Sequence, residues 1–110
     1  MRCTNLIAEY NFLSVATFHR LMRLHVFYEG RVQGVGFRWI VKQTAMGFDV
    51  TGSIRNMSDG RVELFAEGER SELEAFQVAI PEAGLRRFIR LETAEWLKKT
   101  GEFKGFEIVG

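Results

Sequence analysis

The chain has 110 residues, one cysteine and a formal net charge of +1, with 46% hydrophobic and 26% charged residues. This length is typical of one domain and can bury a core without disulfide or metal support, and the near-neutral charge gives no general attraction to nucleic acid or to a membrane surface. The single Cys3 excludes an intramolecular disulfide framework and favours a reducing, cytoplasmic location.

The first twenty residues differ in pattern from the rest of the chain. Polar residues such as Asn5 and Asn11 interrupt their apolar stretch, which argues against a secretory signal. We therefore expect an N-terminal extension over residues 1–20, of uncertain structure, followed by one domain over residues 21–110. The organised pattern begins near Met22, which makes that methionine an alternative start.

The first half of the domain predicts a strand, a glycine-rich loop, a helix and a second strand. Apolar residues alternate over 24–28, as in a half-buried strand, and three glycines in seven residues then predict a special backbone conformation over 30–36. From Phe37 the apolar spacing becomes helical, and Gly47 is a natural residue just beyond the helix end. A second strand is expected over 50–56.

The next segment predicts a hairpin and a second helix. The Asp-Gly pair within 57–60 is a strong turn signal, and the alternating residues 62–67 form a third strand. Ser71 and Glu74 have capping-box spacing, so the helix is expected to begin at Ser71. Pro81, the only proline, limits the C-terminal end of this helix.

The last part of the chain completes a βαββαβ order. A fourth strand is expected over 88–97, a polar connection over 98–104 and a short strand at 106–108, placed at an edge of the sheet. This order predicts an α+β fold of the ferredoxin-like type, an α/β sandwich in which two helices cover one face of an antiparallel sheet.

The loop between the first strand and the first helix carries the chemically informative residues. Its glycines allow successive backbone N–H groups to point at one spot, and such a nest at a helix N-terminus binds anions. Arg38 falls in the first helical turn, where its guanidinium can bind two phosphate oxygens. Glycine-rich turns are common, however, and an arginine at this position is also a normal solvated residue. Spacing alone leaves both interpretations open, and it marks Asn56 only as a strand-end residue.

Two motifs resemble the acylphosphatase family, and the resemblance extends over about residues 24–109. The first motif is the loop Gly30-Arg31-Val32-Gln33-Gly34-Val35-Gly36-Phe37-Arg38. The second is Gly52-Ser53-Ile54-Arg55-Asn56, followed by Asp59-Gly60-Arg61-Val62-Glu63. The tail Phe103-Lys104-Gly105-Phe106-Glu107-Ile108 is similar to the closing strand of the family.

The resemblance implies a hydrolase that converts small acyl phosphates and water into carboxylates and orthophosphate, without metal or cofactor. It implies that Arg38 is the catalytic arginine that binds phosphate and that Asn56 positions the attacking water. The phosphate-binding residues would be those of the loop: Val32, Gln33, Gly34, Val35, Gly36, Phe37 and Arg38. The expected partners are the acyl phosphate and orthophosphate, with no nucleic acid and no membrane. A monomer is expected, and self-association through the extension stays open.

The reaction is compatible with these residue types. The leaving carboxylate has a conjugate acid with a pKa of about 4, so it departs without protonation. Phosphoryl transfer mainly requires positioning and charge stabilisation. An asparagine amide can hold a water molecule but cannot remove its proton, so an oxygen of the substrate phosphate is the candidate acceptor.

Other functions and residues are weaker candidates. A non-catalytic phosphate-binding module is disfavoured because Arg38 and Asn56 are both present, and an RNA-binding domain because the third strand has two acids and one aromatic residue over 61–67. His25 is expected on the open face of the sheet, and Cys3 lies outside the organised domain.

One residue departs from the family pattern, and four large aromatic residues carry structural expectations. Ser53 stands where the family usually has a large aromatic residue, which is expected to loosen packing beside the site. Trp39 and Trp96 are interpreted as apolar fillers. Phe27 and Phe65 are expected on the open face of the sheet, as a patch for self-association or for the extension.

Overall fold

The computed structural model describes residues 21–110, so the expected extension and Cys3 lie outside the described residues. The elements are β1 (Leu21–Gly30), α1 (Phe37–Ala45), β2 (Val50–Asn56), β3 (Val62–Glu69), α2 (Arg70–Ile80), β4 (Ile89–Lys98) and β5 (Phe106–Ile108). A π-helical turn (Pro81–Leu85) and a 3-10 turn (Arg86–Phe88) connect α2 to β4. No helix in this part of the chain is long and apolar enough to span a bilayer.

The five strands form one sheet in the order β4-β1-β3-β2-β5. The neighbours β1–β4, β1–β3 and β2–β3 are antiparallel, as expected, and β5 lies at the predicted edge. β5 pairs with β2 in the parallel direction, so the expected antiparallel sheet is mixed at this one edge. The reason is the chain path: β5 runs opposite to β4 after the connection, and β2 also runs opposite to β4. The fold is the expected ferredoxin-like α/β sandwich.

The core lies between one face of the sheet and the two helices. Alternate residues of β1 are fully buried there, together with the apolar stripes of both helices, which explains why the strand and helix periods of the sequence predict these elements. The main members are Leu24, Val26, Tyr28, Phe37, Val41, Leu73, Phe76 and Ile80. The helix face is therefore the inner face of the sheet, and the other face is open.

The second helix begins one residue earlier than the predicted capping box. β3 ends at Glu69 and α2 starts at Arg70, so no loop residue separates them, and Ser71 lies inside the first turn. Glu69 is the N-cap in an extended conformation and forms no side-chain cap bond. Pro81 does follow the last residue of α2, as predicted.

The open face carries the residues that the strand alternation assigns to it. His25 stacks on Phe65 at a centroid distance of 4.1 Å, and its Nε2 lies 2.8 Å from Oε2 of Glu63. Arg61 lies over the Phe27 ring at 4.2 Å. The open-face aromatic residues are thus partly covered by polar neighbours within the domain itself.

Candidate active site

The loop between β1 and α1 presents free backbone donors at the start of the helix. Gly34 and Gly36 have positive φ angles of 79° and 80°, which glycine adopts without strain. Gly36 is the N-cap of α1, has no side-chain cap, and accepts the first helical bond from the N–H of Ile40 at 3.0 Å. The amides of residues 37–39 therefore have no acceptor within the helix, and no acidic residue occupies the first turn. Such a helix start favours an anion.

The side chain of Gln33 ties this loop to the β2–β3 hairpin. Its Nε2 donates to the carbonyl oxygen of Met57 at 2.8 Å and to that of Arg61 at 2.9 Å. Met57 directly follows Asn56, so the carboxamide of Gln33 joins the loop to the end of β2. From the sequence, Gln33 was predicted only as part of the phosphate loop, and no local pattern indicates this bridge.

The loop, the first turn of α1, the end of β2 and the strand β5 surround one cavity of about 160 Å³. Arg38 and Asn56 both line it, although they lie on different elements. The complete lining is Val32, Gly34, Gly36, Phe37, Arg38, Trp39, Asn56 and Ile108. Gln33 and Val35, also predicted as phosphate-binding residues, are not part of this lining, and Val35 packs against the core.

Asn56 is the last residue of β2 and pairs with Val62 of β3. Its Oδ1 is buried and accepts no hydrogen bond from any described residue. A buried carbonyl oxygen without a donor costs free energy, so native structures usually satisfy it. The carboxamide of Asn56, which lines the cavity, therefore keeps an unused acceptor that can take a hydrogen bond from water.

The charge of the cavity is positive. Arg38 takes part in none of the ion pairs that the described residues form. The lining contains no Asp, Glu or His, and residues 21–110 hold no group of three such side chains or cysteines that could bind a metal. The arrangement can bind an anion and orient a water molecule, but the lining offers no base that titrates near neutral pH.

Trp39 and Ser53 differ from what the sequence predicts for them. Trp39 is not a filler, since it is 61% exposed at the cavity. The helical spacing itself is a signal for this, because Phe37 and Val41 form the buried stripe of α1 and position 39 falls away from it. Ser53 lines a separate cavity of about 390 Å³ on the open face, so any loosening of packing falls there and not beside Asn56.

Comparisons with known proteins identify the family of the chain. The acylphosphatase family model matches residues 24–108. The chain is 43% identical to the acylphosphatase of Acidothermus cellulolyticus over 88 residues, covering 77% of this chain and 84% of the relative. It is 39% identical to the acylphosphatase of Roseiflexus sp. over 89 residues, covering 81% and 96%. The crystal structure of acylphosphatase from Bacillus subtilis superimposes with a TM-score of 0.71 and 29% identity, over 81% of this chain and 99% of that one. The chain therefore belongs to the acylphosphatase family.

Proposed function

We propose that this protein is an acylphosphatase that hydrolyses the carboxyl–phosphate anhydride bond of small acyl phosphates. The products are a carboxylate and orthophosphate. The observation that carries the proposal is the shared cavity, which is lined by Arg38, by the free amides at the start of α1 and by Asn56 with its unpaired Oδ1. These groups fit an anionic phosphate and an attacking water.

In the proposed mechanism, the substrate phosphate lies at the start of α1. Arg38 binds two of its oxygens, and the backbone N–H groups of the loop and first helical turn bind the others. These donors stabilise the negative charge that develops as the P–O bond to the acyl group breaks. Arg38 stays protonated while it binds the phosphate and while it stabilises this charge.

Asn56 positions the nucleophile in this proposal. Water donates one hydrogen bond to Oδ1, and its oxygen attacks phosphorus in line with the departing carboxylate. The water proton passes to a phosphate oxygen, because the amide cannot act as a base and the cavity lining has no titratable one. The carboxylate leaves as an anion, so no acid is needed.

The decisive experiment compares hydrolysis of acetyl phosphate by the wild type, Arg38→Ala and Asn56→Ala. Loss of one such donor or positioning group is expected to lower turnover by roughly 10²–10³-fold. Arg86→Ala and Gln77→Ala are matched controls, because both residues lie outside the cavity lining. Arg86 is highly exposed, and Gln77 on α2 donates to Glu92 on β4. Equal activity in the wild type and both cavity variants would refute the assignment.

Inhibition by the product tests the phosphate site separately. Orthophosphate should compete with the substrate. Arg38→Ala should weaken that inhibition more than Asn56→Ala does, because of these two side chains only Arg38 binds the phosphate directly. Inhibition that is noncompetitive, or unchanged in Arg38→Ala, contradicts the proposed phosphate position.

The remaining expectations form part of the same proposal. We assign the activity to residues 21–110, with residues 1–20 as an extension, and this assignment is supported by the family match within them. A cytoplasmic monomer is proposed, supported by the single cysteine and the net charge of +1. Size-exclusion chromatography with light scattering of the full chain tests the oligomeric state.

A further inference from the structure

The lining of the candidate active-site cavity divides into a polar part and an apolar part. Arg38, Asn56 and the amides at the start of α1 form the polar part. Val32 and Phe37 are apolar but only 1% and 2% exposed, so they belong to the core. Trp39 and Ile108 are the apolar lining residues that remain available, at 61% and 37% exposure.

Trp39 differs from the other partly exposed aromatic residues of the described chain. Five of those have an arginine guanidinium over the ring, in the pairs Phe27–Arg61, Phe65–Arg23, Phe88–Arg87, Trp96–Arg70 and Phe103–Arg23. The other two, Phe48 and Phe106, pack against the ring of Phe76. Within residues 21–110, no arginine lies over the Trp39 ring and no other aromatic ring pairs with it. The most exposed aromatic ring is thus the one that the domain leaves uncovered.

The size of the cavity determines what reaches this ring. Pockets that enclose a drug-sized ligand usually measure about 300–1,000 Å³, whereas this cavity measures about 160 Å³. It can hold the phosphate group, and an acyl group attached to that phosphate must extend towards the exposed part of the lining. An apolar acyl group would there bury surface of Trp39 and Ile108 that is now in water.

We propose that Trp39 and Ile108 form an acyl-group subsite that favours acyl phosphates with an apolar, planar acyl group, above all an aromatic one. The proposal rests on the proposed function, since it assumes that the phosphate occupies the polar part of the cavity. The indole ring supplies a flat apolar surface on which a planar acyl group stacks in an offset geometry. Trp39 is therefore a specificity-determining residue, and discrimination arises in binding more than in the chemical step.

The kinetic test compares benzoyl phosphate with acetyl phosphate in the wild type, Trp39→Ala and Trp39→Phe. Trp39→Ala should lower kcat/KM for benzoyl phosphate by about 3- to 10-fold, mainly through KM, because an aromatic contact is lost. In the same variant, kcat/KM for acetyl phosphate should change by less than about twofold. Trp39→Phe should retain most of the preference for benzoyl phosphate over acetyl phosphate. Met46→Ala is the control, since Met46 is 75% exposed at the end of the same helix and does not line the cavity.

A binding test separates this proposal from the proposed function. The probes are two phosphonates in which CH₂ replaces the bridging oxygen, one derived from benzoyl phosphate and one from acetyl phosphate. The aromatic phosphonate should bind the wild type more tightly and change its tryptophan fluorescence, and the fluorescence change should disappear in Trp39→Phe. Equal losses for both probes in Trp39→Ala, or a fluorescence change that persists without Trp39, would overturn the subsite. A wild type that binds the phosphonates with the expected preference but hydrolyses neither acyl phosphate would instead refute only the proposed function.

Discussion

Replacement of Gln33 by methionine tests whether the bridge between the phosphate loop and the hairpin positions the site. Methionine has a similar length but no N–H group, so Gln33→Met removes both donations from Nε2, to Met57 at 2.8 Å and to Arg61 at 2.9 Å. The loop then loses its side-chain connection to the residue that follows Asn56.

The structure limits the expected loss of stability. Two neutral hydrogen bonds contribute about 1–3 kcal/mol to the free energy of unfolding. The carbonyl of Arg61 also accepts from the N–H of Met57 at 2.8 Å, and the carbonyl of Met57 accepts from the N–H of Gly60 at 3.1 Å. The substitution leaves neither carbonyl unpaired, so the free energy of unfolding should fall by about 1–2 kcal/mol, in the lower half of that range. Turnover should fall by roughly 10- to 100-fold, because a small misplacement of reacting groups is costly.

The assay combines urea unfolding with turnover of acetyl phosphate. Gln77→Met is the matched control, because Gln77 is also a partly buried glutamine and its Nε2 donates to Oε2 of Glu92 at 2.7 Å, away from the cavity. Both variants should lose stability, and only Gln33→Met should lose turnover. If Gln33→Met loses stability but keeps turnover within about twofold of the control, the carboxamide stabilises the fold without positioning the site, and the reasoning fails.

Three further variants test other parts of the structure. Gly36→Ala should cost about 1–2 kcal/mol in the free energy of unfolding, because Gly36 has a φ of 80°, and should weaken orthophosphate inhibition; unchanged inhibition would exclude this backbone from the anion site. Burial raises the pKa of Glu67, but hydrogen bonds from Thr100 and Arg23 oppose it and hold that pKa below its ordinary value. Glu67→Gln should therefore destabilise the protein by about 1.5–3 kcal/mol at neutral pH, because charged hydrogen bonds are lost while Arg23 keeps its ion pair with Glu102. The difference in free energy of unfolding between the wild type and Glu67→Gln should shrink as the pH falls below the ordinary pKa of glutamate and through the lowered pKa of Glu67. A difference in urea unfolding that does not depend on pH would contradict this expectation. Burial raises the pKa of Tyr28 well above its usual value, and its hydroxyl has no partner among the described residues. Above about pH 10 the unfolded chain ionises this tyrosine while the folded protein keeps it neutral, so the wild type should lose free energy of unfolding. Tyr28→Phe should lose less over the same alkaline range when unfolding is measured in urea.

Most elements of the fold could be predicted because their signals are local. Alternation of buried residues marks β1, and the spacing of Phe37, Val41 and Ala45 marks α1. The start of α2 could not be predicted by the capping rule, because that rule assumes a loop residue before the helix, whereas β3 runs directly into it. The parallel direction of β5 depends on the path of the whole chain, which no local pattern contains.

The site was predictable to different degrees for similar reasons. Arg38 follows a local glycine motif, so its placement at the start of α1 could be derived from spacing. Asn56 was predicted only by resemblance, since its unpaired oxygen becomes visible only when the strands and the loop are assembled. The Gln33 side chain bonds to Met57 and Arg61, which follow it by 24 and 28 positions in the sequence. No pattern within the loop indicates these acceptors.

The cavity lining holds no group that titrates near neutral pH, which also limits the phosphate compounds that this site can hydrolyse. His25, the histidine of the described chain, lies on the opposite face of the sheet, where its Nε2 contacts Glu63. Arg38 and Asn56 can stabilise charge and orient water, but neither can protonate a leaving group near neutral pH. A carboxylate with a conjugate-acid pKa of about 4 leaves without such help, whereas the alkoxide of an ordinary phosphate ester requires a general acid. The lining therefore favours acyl phosphates over phosphate esters through the chemistry of the leaving group, before any contact with the acyl chain is made.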